Sequence, residues 1–181
     1  NAMNANEDPR RTLQSVFEDE FYDGLGIQKE AVSGAMDDFF ERVFPGMAHL
    51  AKQKPEAIRF VEWAESEGFH LAIATDPLFY GRATEERIRW AGFDPEQFTL
   101  ISSADDFHFT KSHPAYYAEM IGRLGWQEGP VLMAGNDINR DVIPAQRLGL
   151  KTFLVEAGSG SVPGDEAARG ALDDLRGWIE S

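Results

Sequence analysis

Three observations predict an α/β fold, a Rossmann-like parallel sheet flanked by helices. Short apolar segments of strand type recur at residues 70–75, 98–102, 131–134 and 151–155. Helical text of crossover length separates them, and Gly or Pro marks the junctions. A purely helical stretch precedes the first of these strands, so the core is expected to carry a smaller helical portion.

That helical stretch spans residues 12–44. Leu13, Val16, Phe17 and Phe21, then Ala35, Met36, Phe39, Phe40 and Val43, recur at helical spacing, and Gly24-Leu25-Gly26 splits them into two helices. An aromatic stripe of this kind is expected to pack. Phe44-Pro45-Gly46 closes the zone. Pro55 then opens a helix whose buried side is Ile58, Val61, Trp63 and Ala64, and Gly68 ends it. The run His70-Leu-Ala-Ile-Ala-Thr75 reads as a buried parallel strand. Helices are expected at 82–91, 114–124 and 141–148 between the later strands, and a terminal helix at 165–180. Asn1-Ala-Met3 reads as a tag remnant before a start Met. The expected organisation is therefore 1–3 remnant and start, 4–50 helical portion, and 51–181 α/β core.

Composition narrows the function. The chain has 181 residues, 31 Asp and Glu against 17 Lys and Arg, and a net charge of -14. Such a field repels phosphate backbones and anionic lipid, so neither nucleic acid nor a membrane is expected as a partner. With no cysteine, disulfides, thiolate zinc sites and cysteine nucleophiles are excluded, and a cytoplasmic setting is expected.

Ligands of parallel sheets bind beyond the carboxyl ends of the strands, so the residues following each strand carry the chemistry. The first strand runs into Thr75-Asp76-Pro77. The second is followed by Thr110-Lys111-Ser112-His113-Pro114, and the third by Gly135-Asn136-Asp137 with Asp141 one turn on. A hydroxyl with main-chain N–H groups suits phosphoryl oxygens, a lysine neutralises them, and paired carboxylates are hard ligands suited to Mg²⁺. Taken singly, Thr75 is a turn residue, Lys111 a surface lysine, and Asp137 and Asp141 complement a helix N-terminus. Their order, each after its own strand, is what signifies.

This order resembles the haloacid dehalogenase-like (HAD) superfamily, in its helical-cap, phosphatase-type branch. Thr75 matches the second motif, Lys111 the third, and Gly135-Asn-Asp-Ile-Asn-Arg-Asp141 the acidic fourth. The neighbouring Ile73-Ala-Thr-Asp-Pro-Leu78, Phe109-Thr-Lys-Ser-His-Pro-Ala-Tyr-Tyr117 and Ala145-Gln-Arg-Leu-Gly-Leu-Lys-Thr152 read like a bacterial branch. The likeness covers about residues 53–157, and residues 12–50 resemble part of a helical cap more weakly. The resemblance implies a Mg²⁺-dependent phosphatase of a small phosphorylated metabolite. Thr75 and Asp76 would lie at the phosphoryl group, Lys111 would bridge nucleophile and phosphate, and Asn136, Asp137 and Asp141 would hold the metal.

The departures are equally informative. The family's first motif, an Asp-x-Asp whose leading Asp is the nucleophile, occurs nowhere in the sequence; Asp19, Asp23, Asp37 and Asp38 sit in helical text. Asn136 replaces the usual acid after Gly and brings no charge. Asp76 stands where Asn is common, and Ser112 where Pro is common. The chain as it stands is therefore expected to be inactive. The alternative is a non-catalytic HAD-like binding or assembly protein. DNA upstream of the Met3 codon separates the two, since an in-frame Asp-x-Asp would mark an enzyme lacking its first segment. The resemblance also implies that the first core strand, placed between the strands ending at Thr75 and Ala134, is absent. Those two strands must then pair directly, borrow a strand, or leave edges through which the chain self-associates.

Rival motifs are weaker. Gly158-Ser-Gly160-Ser-Val-Pro-Gly164 is a flexible connector rather than a dinucleotide loop, because its third Gly falls late and Pro163 stiffens it. His49, His70, His108 and His113 lack zinc spacing; His108 and His113 are expected to be solvated loop residues near the site. No Gly-x-Ser-x-Gly elbow and no phosphate loop ending in Gly-Lys-Ser/Thr occurs. A receiver or flavodoxin-like domain would not explain Lys111 together with the acidic loop.

Overall fold

The computed structural model describes residues 2–125, 130–155 and 168–181. In chain order the elements are α1 (Leu13–Leu25), α2 (Glu30–Asp38), α3 (Pro55–Ser66), β1 (Ala72–Ile73), α4 (Gly81–Trp90), β2 (Leu100–Ile101), α5 (Ala115–Leu124), β3 (Leu132–Gly135), α6 (Ile143–Arg147), β4 (Lys151–Val155), β5 (Ala168–Gly170) and α7 (Leu172–Ile179). The expected α/β class, with parallel strands flanked by helices, is what the chain forms. No described helix is long and apolar enough to cross a membrane.

The chain divides into two compact units. The first comprises Asn1–Lys54 and His70–His113, the second Pro55–Phe69 and Pro114–Ser181.

In the first unit, Thr12 caps α1 by accepting the Ser15 amide at 3.2 Å, and Gly26 ends it in the left-handed conformation at φ 63°. Leu13 and Val16 are buried, and the α1 N-terminus is pinned where Leu13 N donates to Phe107 O and Gln14 N to Ala104 O, each at 2.8 Å. After α2, residues 39–43 widen into a π-type turn and 44–50 tighten into a 3₁₀ helix, so the zone runs beyond Phe44. The aromatic stripe is only partly spent on packing. Phe40 meets Tyr80 and Phe44 meets Trp90, at ring distances of 5.9 and 4.7 Å, yet Phe21, Phe39 and Val43 stay exposed and α2 buries no residue. β1 and β2 pair in parallel, Ala72 opposite Leu100 and Ile73 opposite Ile101.

In the second unit β3, β4 and β5 form a parallel sheet in that order, with Ala134 opposite Phe153 and Leu154 opposite Arg169. Thr152, Phe153 and Leu154 of the central strand are buried. α7 buries Leu175, pairs Asp173 with Arg59 of α3 at 3.1 Å, and sets Arg176 over the Trp63 ring.

Two expectations are corrected. The terminal helix is shorter than 165–180: residues 168–170 add to β4 as a strand, and the helix begins at Leu172, where the Asp174 carboxylate accepts the Ala171 amide at 2.8 Å. Ala-Arg-Gly has no strand signature of its own, and only the open edge of β4 recruits it. The strand at 70–75 is half-buried rather than buried, and β3 likewise exposes Ala134. Among the described residues β1 pairs only with β2 and β3 only with β4, so each is an edge strand, and β1 and β3 belong to different sheets. The Gly158–Gly164 connector lies outside the described residues.

Candidate functional site

The sequence-predicted residues fall three into each unit. Thr75, Asp76 and Lys111 belong to the first, and Asn136, Asp137 and Asp141 to the second.

In the first unit, Thr75 and Asp76 leave the carboxyl end of β1. Ser102, at the end of β2 and wholly buried, fastens this loop: its amide donates to Ile73 O at 3.1 Å and its hydroxyl to Thr75 O at 2.8 Å. The Asp76 carboxylate then accepts the Lys111 amide at 3.1 Å. The loops that follow β1 and β2 thus meet through this bond. Lys111 is only 8% exposed, in contrast to the surface position its residue type favours. Thr110 beside it is buried and shares a 2.8 Å hydrogen bond with the Ser112 hydroxyl. His108 and His113 are half-buried rather than fully solvated. The His113 ring stacks on Phe109 at 4.3 Å, and the His108 carbonyl accepts from the Asn6 amide side chain at 2.8 Å.

In the second unit, β3 runs into a π-type turn, Ile138–Val142, and then α6. Asp137 caps the turn: its Oδ1 accepts the Asn139 and Arg140 amides at 2.9 and 3.1 Å. Asp141 is 4% exposed, and its Oδ2 accepts the Asp137 amide at 3.0 Å. Gly135 is required by this packing, because a Cβ built there would overlap the Asp141 side chain. Asn136 is exposed and Asp137 half-buried.

These three oxygen-bearing side chains fit a small hard cation. Two carboxylates with an amide leave room for the waters and phosphate oxygens that Mg²⁺ prefers to keep. Asp141 is buried just beyond a strand end, where its carboxylate accepts the Asp137 amide and also bonds the Tyr117 hydroxyl. No cluster of three His, Cys, Asp or Glu residues suited to a metal occurs among the described residues.

Three contributors were not read from the sequence: Ser102, Gly135 as a packing requirement, and Tyr117. Tyr117 is 2% exposed and its hydroxyl donates to Arg140 O at 2.7 Å. Burial first, and then the charge of the nearby Asp141, raise its pKa, so it stays a donor.

Comparison with known proteins agrees with the fold. A HAD phosphatase from Thermococcus onnurineus is 20% identical, with 92% of this chain and 90% of that one covered and a TM-score of 0.61. The 2-haloacid dehalogenase from Pseudomonas syringae pv. Tomato DC3000 is 18% identical, with 93% and 68% covered and a TM-score of 0.61. YfnB from Bacillus subtilis, in a structure bound to magnesium, is 18% identical, with 71% and 56% covered and a TM-score of 0.60. No curated protein matches the sequence. The family profile described as haloacid dehalogenase-like hydrolase matches residues 6–155. With its motif order, its parallel-strand core and that match, the chain belongs to the haloacid dehalogenase-like hydrolases.

Proposed function

We propose that this chain carries the phosphate- and metal-handling parts of a Mg²⁺-dependent phosphatase acting on a small phosphorylated molecule. The observation that carries this reading is the placement of a buried lysine and a buried aspartate in loops that follow parallel strands, in the order of the family's motifs. Lys111 is 8% and Asp141 4% exposed, each in a loop beyond the carboxyl end of a parallel strand. A lysine ammonium suits a phosphoryl group, and a carboxylate at a strand end suits a hard divalent cation. The description of one structural relative as a phosphatase, and of another as bound to magnesium, supports the same reading.

In this account the Thr75 hydroxyl orients a phosphoryl oxygen. Asp76 fixes the main chain of Lys111, whose ammonium offsets phosphate charge. Asn136, Asp137 and Asp141 present oxygens to Mg²⁺, which when bound polarises the phosphoryl group and offsets developing charge. The nucleophile of the family's chemistry belongs to an Asp-x-Asp that none of the 181 residues supplies. This polypeptide alone is therefore proposed to bind without turning over. The same lack, together with the uncharged Asn136, favours a second reading as a non-catalytic binding protein.

Calorimetric titration with Mg²⁺ tests the metal half. Weak binding by the unmodified chain, tighter binding by Asn136→Asp and loss in Asp141→Ala are expected, because a carboxylate adds Coulomb attraction that an amide lacks. Equal affinities in all three proteins would overturn the assignment.

A further inference from the structure

We infer that Tyr117 is a positioning residue for the acidic turn, holding the Arg140 carbonyl so that Asp141 is presented to a divalent cation. The inference rests on the phosphatase reading above.

The need for such a residue is written in the chain. In an α-helix the Arg140 carbonyl would accept the amide four residues on, and that residue is Pro144, which has no N–H. The turn at 138–142 is of π type, a geometry frequent at functional sites. The Tyr117 hydroxyl supplies a donor to this carbonyl, at 2.7 Å from α5. Within the turn, Asp137 takes the amides of Asn139 and Arg140, and Asp141 takes the amide of Asp137. Tyr117 thus anchors the turn from outside it at two neighbouring acceptors, the Arg140 carbonyl and the Asp141 side chain.

A phenol is suited to this work. Tyr117 is 2% exposed, and its rigid ring has little rotamer freedom, so its hydroxyl is delivered to a fixed point. Val142, directly after Asp141, is buried against Leu154 and Ile138, which closes the far side of the turn. Asp141 is therefore fixed between a hydrogen-bonded carbonyl on one flank and a buried valine on the other.

The test is the Mg²⁺ dissociation constant of Tyr117→Phe, which keeps the ring and removes the donor. Groups that orient metal ligands typically contribute about 10–100-fold to affinity, and a weakening in that range is expected. Unchanged affinity would overturn the inference, whatever happens to the thermal midpoint, because a merely structural tyrosine would move only the midpoint. A parent chain with no Mg²⁺ affinity would instead overturn the phosphatase reading, and this inference with it. Should Tyr117→Phe fail to fold, NMR titration of the unmodified chain decides. The Tyr117 ring signals are expected to shift together with the Arg140 and Asp141 amides as Mg²⁺ is added. Amide shifts with a silent Tyr117 ring would overturn the inference.

Discussion

The main-chain amide of Lys111 donates to the carboxylate of Asp76 at 3.1 Å, joining loops that follow two different strands. This bond turns two separately read motifs into one local structure. It also gives Asp76 a task that its position one residue after Thr75 does not announce. The carboxylate fixes where the lysine's backbone lies, and the Thr75 carbonyl is fixed from below by Ser102.

Asp76→Ala removes the acceptor and is expected to lower folding stability by about 1–3 kcal/mol, the range for a hydrogen bond to a charged group and an amide left without its partner. Asp76→Asn keeps an acceptor oxygen and should lose less. Urea denaturation midpoints measure both, and an unchanged midpoint in Asp76→Ala would show that the bond contributes nothing.

Gly135→Ala tests the packing of the acidic turn. The glycine does not have positive φ, so any cost comes from the overlap of the new Cβ with Asp141 rather than from backbone strain. Overpacking of this kind costs about 1–3 kcal/mol. Displacement of Asp141 should weaken Mg²⁺ binding in parallel. Calorimetry and thermal denaturation of the variant are the measurements, and full retention of both would contradict the close approach.

Stability should fall at both pH extremes through Glu18 and Tyr80. Burial would raise the Glu18 carboxyl, but hydrogen bonds from Gln14 and Lys29 and the charge of Lys29 outweigh it and leave the pKa below its usual 4.5. A lowered carboxyl pKa adds stability that is present above 4.5 and is lost as pH falls through the folded-state value. Burial, followed by the charge of Glu18, pushes Tyr80 up from 10.0 to about 12. A raised phenol pKa leaves stability intact below 10.0, and it is lost as pH rises towards about 12. Thermal midpoints across pH should show a shallower acid limb for Glu18→Gln and a shallower alkaline limb for Tyr80→Phe. Limbs identical to the parent's would refute the assignment.

What the sequence discloses, and what it hides, follows from the range of each interaction. The alternation of helix and strand was legible because turn residues and apolar runs are local signals. The order of Thr75, Lys111, Asp137 and Asp141 along the chain is legible because each lies in the segment after its own strand, in the sequence of the family's motifs. Ser102 was hidden, since a serine at a strand end has no pattern that names the Thr75 carbonyl as its partner. Tyr117 stands within a quoted motif, but its acceptor lies 23 residues further on. Pro144 was the available signal, a proline placed where the Arg140 carbonyl would otherwise find its donor. β5 lies within text that reads as helix, because three residues of low strand propensity are recruited by a neighbour's edge. The half-burial of β1 and β3 was missed because an apolar run does not say how many of its two edges will be paired.

One assay addresses the proposed division of chemistry between this chain's residues and an Asp-x-Asp segment. Hydrolysis of a generic aryl phosphate with Mg²⁺ is measured for the 181-residue polypeptide, alone and after restoring an Asp-x-Asp segment covalently or as a complementing fragment. Negligible turnover alone is expected, since loss of a nucleophile typically costs on the order of 10⁴-fold or more in rate. Turnover is expected on restoration, and its loss again in Lys111→Ala or Asp141→Ala. Robust turnover by the polypeptide alone, abolished by Asp141→Ala, would contradict the account and place the nucleophile among residues to which it assigns no such role.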